Sequence, residues 1–174
     1  SRCEDLSVEQ AREDTLRLLR GLQISDPSRI AVTCTRRRIL LVLARSGLVD
    51  LQGDGDGERI GRKEVEEVLE SSVVQVDALR DSWPWKESPR LLVSRPPWLR
   101  IKDRFRGHLD GSELRKKLSR SLRNTTESDG SKRFSALRGN VNLYRLYIER
   151  SLQLVREGGK VRMIVPDTVL REKS

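Results

Sequence analysis

The chain has 174 residues, of which 36% are hydrophobic, 35% charged and only 4% aromatic, enough for a modest core within the size of one domain. Lys and Arg number 35 against 26 Asp and Glu, a formal charge of +9 that favours a polyanionic partner without specifying a fold. The longest apolar run, Ile39 to Ala44, falls far below the roughly 20 residues of a bilayer span. No secretory signal pattern is visible, so the expectation is a cytoplasmic protein with no membrane partner. Cys3, Cys34 and His108 are too few for a Cys/His zinc site or a disulfide scaffold, and no metal is expected. Only eight of the basic residues are Lys. The Arg excess suits phosphate and base edges, and equally a GC-rich genome.

In chain order, Leu6 to Leu22 predicts a helix with Ser7 as N-cap and Glu9-Gln10 in its first turn. Asp26-Pro27-Ser28 breaks the pattern. Arg29 to Val49 suits either a buried helix or a strand. Gly53 to Gly57 predicts an acidic turn that lacks the twelve-position calcium pattern. Arg62 to Glu70 predicts a short helix, and Val73 to Val76 a strand ending at Asp77. A second strand is predicted at Leu91 to Val93, before Ser94-Arg95-Pro96-Pro97-Trp98. Ser112 to Leu122 follows as a basic helix, then a polar linker with no apolar residue from Asn124 to Lys132. Val141 to Val155 carries the strongest helical periodicity, stopped by Gly158-Gly159. Val161 to Val165 is a third strand. Strands separated by long connections predict an α/β fold with a mostly parallel sheet and flanking helices. In such sheets chemistry belongs beyond the carboxyl ends of the strands, where Asp77, the Ser94 to Trp98 loop and Pro166-Asp167 fall.

With these residues in place the chain resembles the adenine-N6 DNA methyltransferases of restriction-modification and phage-defence systems, in their large single-chain forms. That family carries an Asn-Pro-Pro-aromatic loop after its fourth strand; here Leu91-Leu92-Val93 leads into Ser94-Arg95-Pro96-Pro97-Trp98. Val73 to Leu79, with Asp77-Ala78-Leu79, is similar to its third-strand segment. Asn142 to Arg150 and Glu157-Gly158-Gly159-Lys160 through Pro166 are similar to its next helix and fifth strand. The resemblance implies a partial Rossmann-like domain, with 1–71 as an N-terminal helical region and insert. Residues 72–174 then form the central part of the catalytic domain, with a polar linker at 123–139. It further implies S-adenosylmethionine as cofactor and DNA as partner, with target-recognition or nuclease domains in the full-length protein. Asp5, Asp77 and Ala78 stand where the family contacts the cofactor, and Arg100, Lys102 and Arg104 where it faces DNA. Helix capping for Asp5, a turn for Asp77 and a solvated face for the cations are the plainer readings of the same residues.

Methylating an adenine amino group needs acceptors for its hydrogens and a stacking surface for the flipped base. The family's Asn supplies one acceptor, the first Pro a carbonyl, and the aromatic the stack. Pro96, Pro97 and Trp98 match, but Arg95 stands in place of the Asn. A guanidinium has only donors and carries positive charge, and losing one such group commonly costs on the order of 10² to 10³ in rate. The glycine-bearing cofactor loop is also missing, because Gly53 to Gly57 is acidic and follows no clear strand. The expectation is therefore a truncated or decayed copy that does not methylate adenine. The alternatives are a non-catalytic nucleic-acid-binding remnant and, further off, a protein glutamine methyltransferase or a helix-turn-helix regulator at Arg29 to Asp50.

Overall fold

The computed structural model describes residues 7–55, 59–135, 137 and 141–170. Among the described residues the protein is mixed α/β, with five α-helices and short parallel strand pairs, and it forms two compact units, Ser1–Asp77 and Ala78–Ser174.

In the first unit, α1 (Val8–Arg20) starts where the Ser7 hydroxyl accepts the Gln10 N–H at 3.2 Å. It ends at Gly21, whose N–H reaches the Arg17 and Leu18 carbonyls. Strand β1 (Ile24–Asp26) follows; with three residues and one apolar side chain it leaves no periodic trace in the sequence. The ambiguous stretch that comes next is a helix, α2 (Arg29–Arg45). Asp26 Oδ1 accepts the Ser28 N–H at 2.7 Å, and Ser28 Oγ in turn accepts the Ala31 N–H at 3.3 Å. This cap, with seventeen residues free of Gly and Pro, decides helix over strand. Beyond Gly47 (φ 74°), β2 (Val49–Asp50) pairs in parallel with β3 (Ile60–Gly61). Helix α3 (Arg62–Ser72) then feeds β4 (Val73–Gln75), which pairs in parallel with β1, Ile24 opposite Val73.

Leu16, Leu19, Val32, Leu40, Ile60, Val65, Leu69 and Val73 are buried together in this unit. Each such side chain contributes about 1.5–3 kcal/mol. Two polar side chains fix the α3–β4 junction. Arg36 donates from Nε (2.9 Å) and Nη2 (2.7 Å) to the Val73 carbonyl, and buried Ser72 Oγ donates to the Leu19 carbonyl at 2.8 Å.

The second unit is built on β5 (Leu91–Ser94) and β6 (Lys160–Met163), paired in parallel with Leu91 opposite Lys160 and Ser94 opposite Met163. The crossover between them carries α4 (Gly111–Asn124) and α5 (Leu143–Leu154). Leu79, Ile101, Leu122, Phe134, Leu143 and Leu146 form its core. Helix α5 stops before the glycines, because Val155 already has an extended backbone (φ −68°, ψ 142°). Gly158 (φ 69°) and Gly159 instead make the turn into β6, with Lys160 N–H donating to the Arg90 carbonyl at 2.9 Å.

One expectation needs correction. The strand at Val73 pairs with β1 in the first unit, so the three expected strands do not form one hydrogen-bonded sheet. The two compact units divide after Asp77. Over its described part the polar segment is held by specific contacts: Thr126 bridges Lys132, and Arg133 and Phe134 are buried. Glu127 Oε1 accepts from Arg133 Nε and Arg150 Nη1, each at 2.7 Å. The two guanidiniums also donate to the carbonyls of Ala78, Leu79 and Asp81. Charge pairing, together with the burial of Phe134 in the core, orders this segment.

Candidate functional site

The carboxyl ends of β5 and β6 lie side by side in the second unit, and the sequence motif leaves from one of them. The Ile164 N–H donates to the Ser94 carbonyl at 3.1 Å, extending the ladder by one bond. Pro96 and Pro97 then have no N–H with which to continue it, so the chain turns away. Pro96 is buried and Pro97 half-buried. The indole Nε1 of Trp98 donates to the Ile164 carbonyl at 3.1 Å, while the residue stays 51% exposed. The backbone beyond it is pinned to the start of α5: Leu143 N–H donates to the Leu99 carbonyl (2.9 Å) and Ile101 N–H to the Val141 carbonyl (3.1 Å). Trp98 is thus fixed by its polar edge and by its following backbone, with about half its surface open to solvent.

Arg95, at the head of this loop, is exposed, and its side chain has no hydrogen bond or ion pair among the described residues. No acceptor side chain stands at that position. Arg100, Lys102 and Arg104 occupy a turn-rich segment, not a strand. Asp103 gathers two of its neighbours, accepting from Arg100 Nε at 2.6 Å and Arg106 Nη2 at 3.2 Å. The Arg100 bond, ahead of the surrounding positive charge, holds the Asp103 carboxyl below the usual carboxylate range. Lys102 and Arg104 remain exposed, with the Arg104 guanidinium 6.0 Å from the Phe105 ring centre. Gly111 allows the Phe105 carbonyl to approach the first turn of α4, where a Cβ would come within 2.5 Å of that oxygen.

The cofactor candidates are placed otherwise. Asp5 lies outside the described residues. Asp77 is half-buried two residues after β4, and Ala78 opens the second unit, its carbonyl accepting from Arg150 Nε at 3.1 Å. The turn after β1 is not a glycine loop: Asp26 and Ser28 are spent on capping α2. Gly53 does follow a strand, β2, contrary to expectation, but the segment keeps its acidic character, with Asp54 paired to Lys63 at 3.1 Å. Neither described segment presents the glycine-bearing backbone that cradles the amino-acid tail of a sulfonium nucleoside.

Protein-family models, curated proteins and solved structures offer no match to this chain.

Sequence reasoning missed Glu127, Arg133 and Arg150, which lock the Ala78–Asp81 turn to α5. It also missed the concave surface along α4. Three depressions, of about 170, 500 and 500 Å³, follow that helix and the 100–111 segment, with Arg115 lining all three. The cations of α4 were the available signal: in the sequence Arg115, Lys116, Lys117 and Arg120 fit phosphate contact and a solvated face equally. His108 is exposed, its ring 6.2 Å from that of Phe105. Among the described residues no helix is long and apolar enough to cross a membrane.

Proposed function

We propose that the chain is a degenerate, Rossmann-like adenine-N6 DNA methyltransferase domain that keeps the target-base platform and lacks the chemistry. The observation carrying this reading is the Pro96-Pro97-Trp98 loop at a strand's carboxyl end, with Trp98 anchored by its N–H yet half exposed. An anchored, open indole is the kind of surface on which an extrahelical base stacks, worth about 1–3 kcal/mol per base. The Pro96 carbonyl is the remaining acceptor for an adenine amino group. Arg95 offers donors only and opposes the positive charge that develops on that nitrogen during methylation. In an active relative S-adenosylmethionine supplies the methyl group; the residues described in this chain do not fit it, and no methyl transfer is expected.

One experiment tests this. Oligonucleotides bearing an extrahelical adenine or hypoxanthine are titrated with the protein and with Arg95→Asn, and incubated with labelled S-adenosylmethionine. The native chain is expected to show no preference and no methylation. Arg95→Asn, which restores an acceptor for the amino hydrogens, is expected to prefer adenine by roughly 10-fold, in line with about 1–3 kcal/mol for such a pairing. Absence of any preference in the variant contradicts a base platform at Trp98. The second reading, a nucleic-acid-binding remnant with no base site, is favoured by the capped turn after β1, and this outcome would select it.

A further inference from the structure

The charge of this protein is not spread evenly. Residues 1–77 hold 12 Lys and Arg against 15 Asp and Glu, a formal −3, whereas residues 78–174 hold 23 against 11, a formal +12. All of the basic excess belongs to the second unit, and its densest part is α4. The helix packs Leu118 and Leu122 against the core. The helix also carries Arg115, half-buried, and the exposed Lys116, Lys117, Arg120 and Arg123, against Glu113 alone.

The cations line concave space. Arg115, Ser119 and Arg123 are shared by two adjoining depressions, one reaching Arg100 and Lys102 and the other Lys116 and Arg120. Among the described residues neither of these two is lined by an Asp or Glu. Internal pairing consumes only part of the charge. Asp103 takes Arg100 and Arg106, and Glu113 takes Lys116 at 3.4 Å. Arg115 is positioned by the Gly111 and Lys102 carbonyls at 3.1 and 3.2 Å, which fix its guanidinium without neutralising it. The side chains of Lys102, Arg120 and Arg123 have no hydrogen bond or ion pair among the described residues.

We propose that this groove along α4 holds the phosphodiester backbone of a nucleic acid. From Ser112 to Arg123 the helix rises about 16 Å, which corresponds to between four and five nucleotide steps measured along a duplex axis at about 3.4 Å each. Arginine forks and interleaved hydroxyls, here Ser112 and Ser119, are the donors that phosphate oxygens take. The groove reads no bases and needs no cofactor; it rests on the preceding reading only in sharing a nucleic acid as partner.

The test is fluorescence anisotropy of the full chain with a labelled duplex and a labelled single strand of mixed sequence, with no cofactor, at about 50–200 mM salt. The groove variant is Lys102→Gln with Arg120→Gln and Arg123→Gln, all side chains without internal bonds. The charge-matched control is Arg37→Gln with Arg38→Gln and Arg45→Gln, exposed cations of α2. The groove variant is expected to lose at least about 10-fold in affinity and to flatten the log–log salt slope by about 2 to 3, while the control changes affinity less than about 3-fold. Binding to either nucleic-acid form with this pattern supports the groove. Equal loss in both variants, or an unchanged groove variant, overturns it. Binding to phosphatidylserine vesicles without binding to either oligonucleotide also overturns it, in favour of a membrane surface. Because adenine preference is read separately in Arg95→Asn, failure of the base platform and failure of the groove are distinguishable.

Discussion

Glu127 sits between two buried guanidiniums and shares one carboxylate oxygen with both, at 2.7 Å to Arg133 and 2.7 Å to Arg150. Burial, and after it the facing Arg133, lowers the affinity of Arg150 for its proton, and Glu127 opposes this. Removing that carboxylate leaves two charges in a site where neither is solvated. Glu127→Gln is expected to destabilise the protein by about 2–4 kcal/mol, at the lower end of the cost of breaking a buried pair because Glu127 is itself a third exposed. Urea denaturation followed by tryptophan fluorescence reads this as a lower midpoint; an unchanged midpoint contradicts the pairing. None of this was legible beforehand. The partners lie 6 and 23 residues from Glu127, and a segment without apolar residues offers no periodicity to read. Trp98 was legible, because two prolines after an apolar run place the following aromatic at a strand end.

At the scale of elements, α1, α3, α4 and α5 could be read from caps and from the 3.6-residue recurrence of Leu and Val. The recurrence was blind to β1, whose three residues hold together through pairing with β4 and not through any pattern of their own. It was also undecided at α2, which is apolar on several sides and keeps Ile30, Leu41 and Val42 exposed. The 100–106 segment shows how an element's charge is tuned. Asp103 ties down Arg100 and Arg106, and its lowered carboxyl stays ionised through the neutral range. The stabilisation this gives is present above the ordinary Asp value near 4 and is lost as pH falls through the lowered value. Asp103→Asn frees both arginines. It is therefore expected to raise nucleic-acid affinity several-fold and steepen the salt slope by about 1 to 2 in the anisotropy assay. A weaker complex would show that Asp103 shapes the segment more than it neutralises it.

For the whole molecule, composition announced a basic protein, while the division into a −3 and a +12 unit appears only once the two compact units are known. The α/β class was legible from alternating helical and strand patterns. The sheet was not: the strand lengths and order that decide pairing are set by contacts distant in sequence, and three two-stranded pairs stand where one sheet was expected. In the proposed function, the 95–98 loop presents Trp98 as a platform for an extrahelical adenine. Its most direct measurement is the affinity of the native chain, Trp98→Phe and Trp98→Ala for one duplex carrying an unpaired adenine, against the same duplex with an abasic residue there. The account predicts that the native chain and Trp98→Phe bind the adenine duplex within about 3-fold of each other, and that Trp98→Ala loses about 10-fold on that duplex alone. Equal affinities for all three proteins, or equal losses on the abasic duplex, would contradict it.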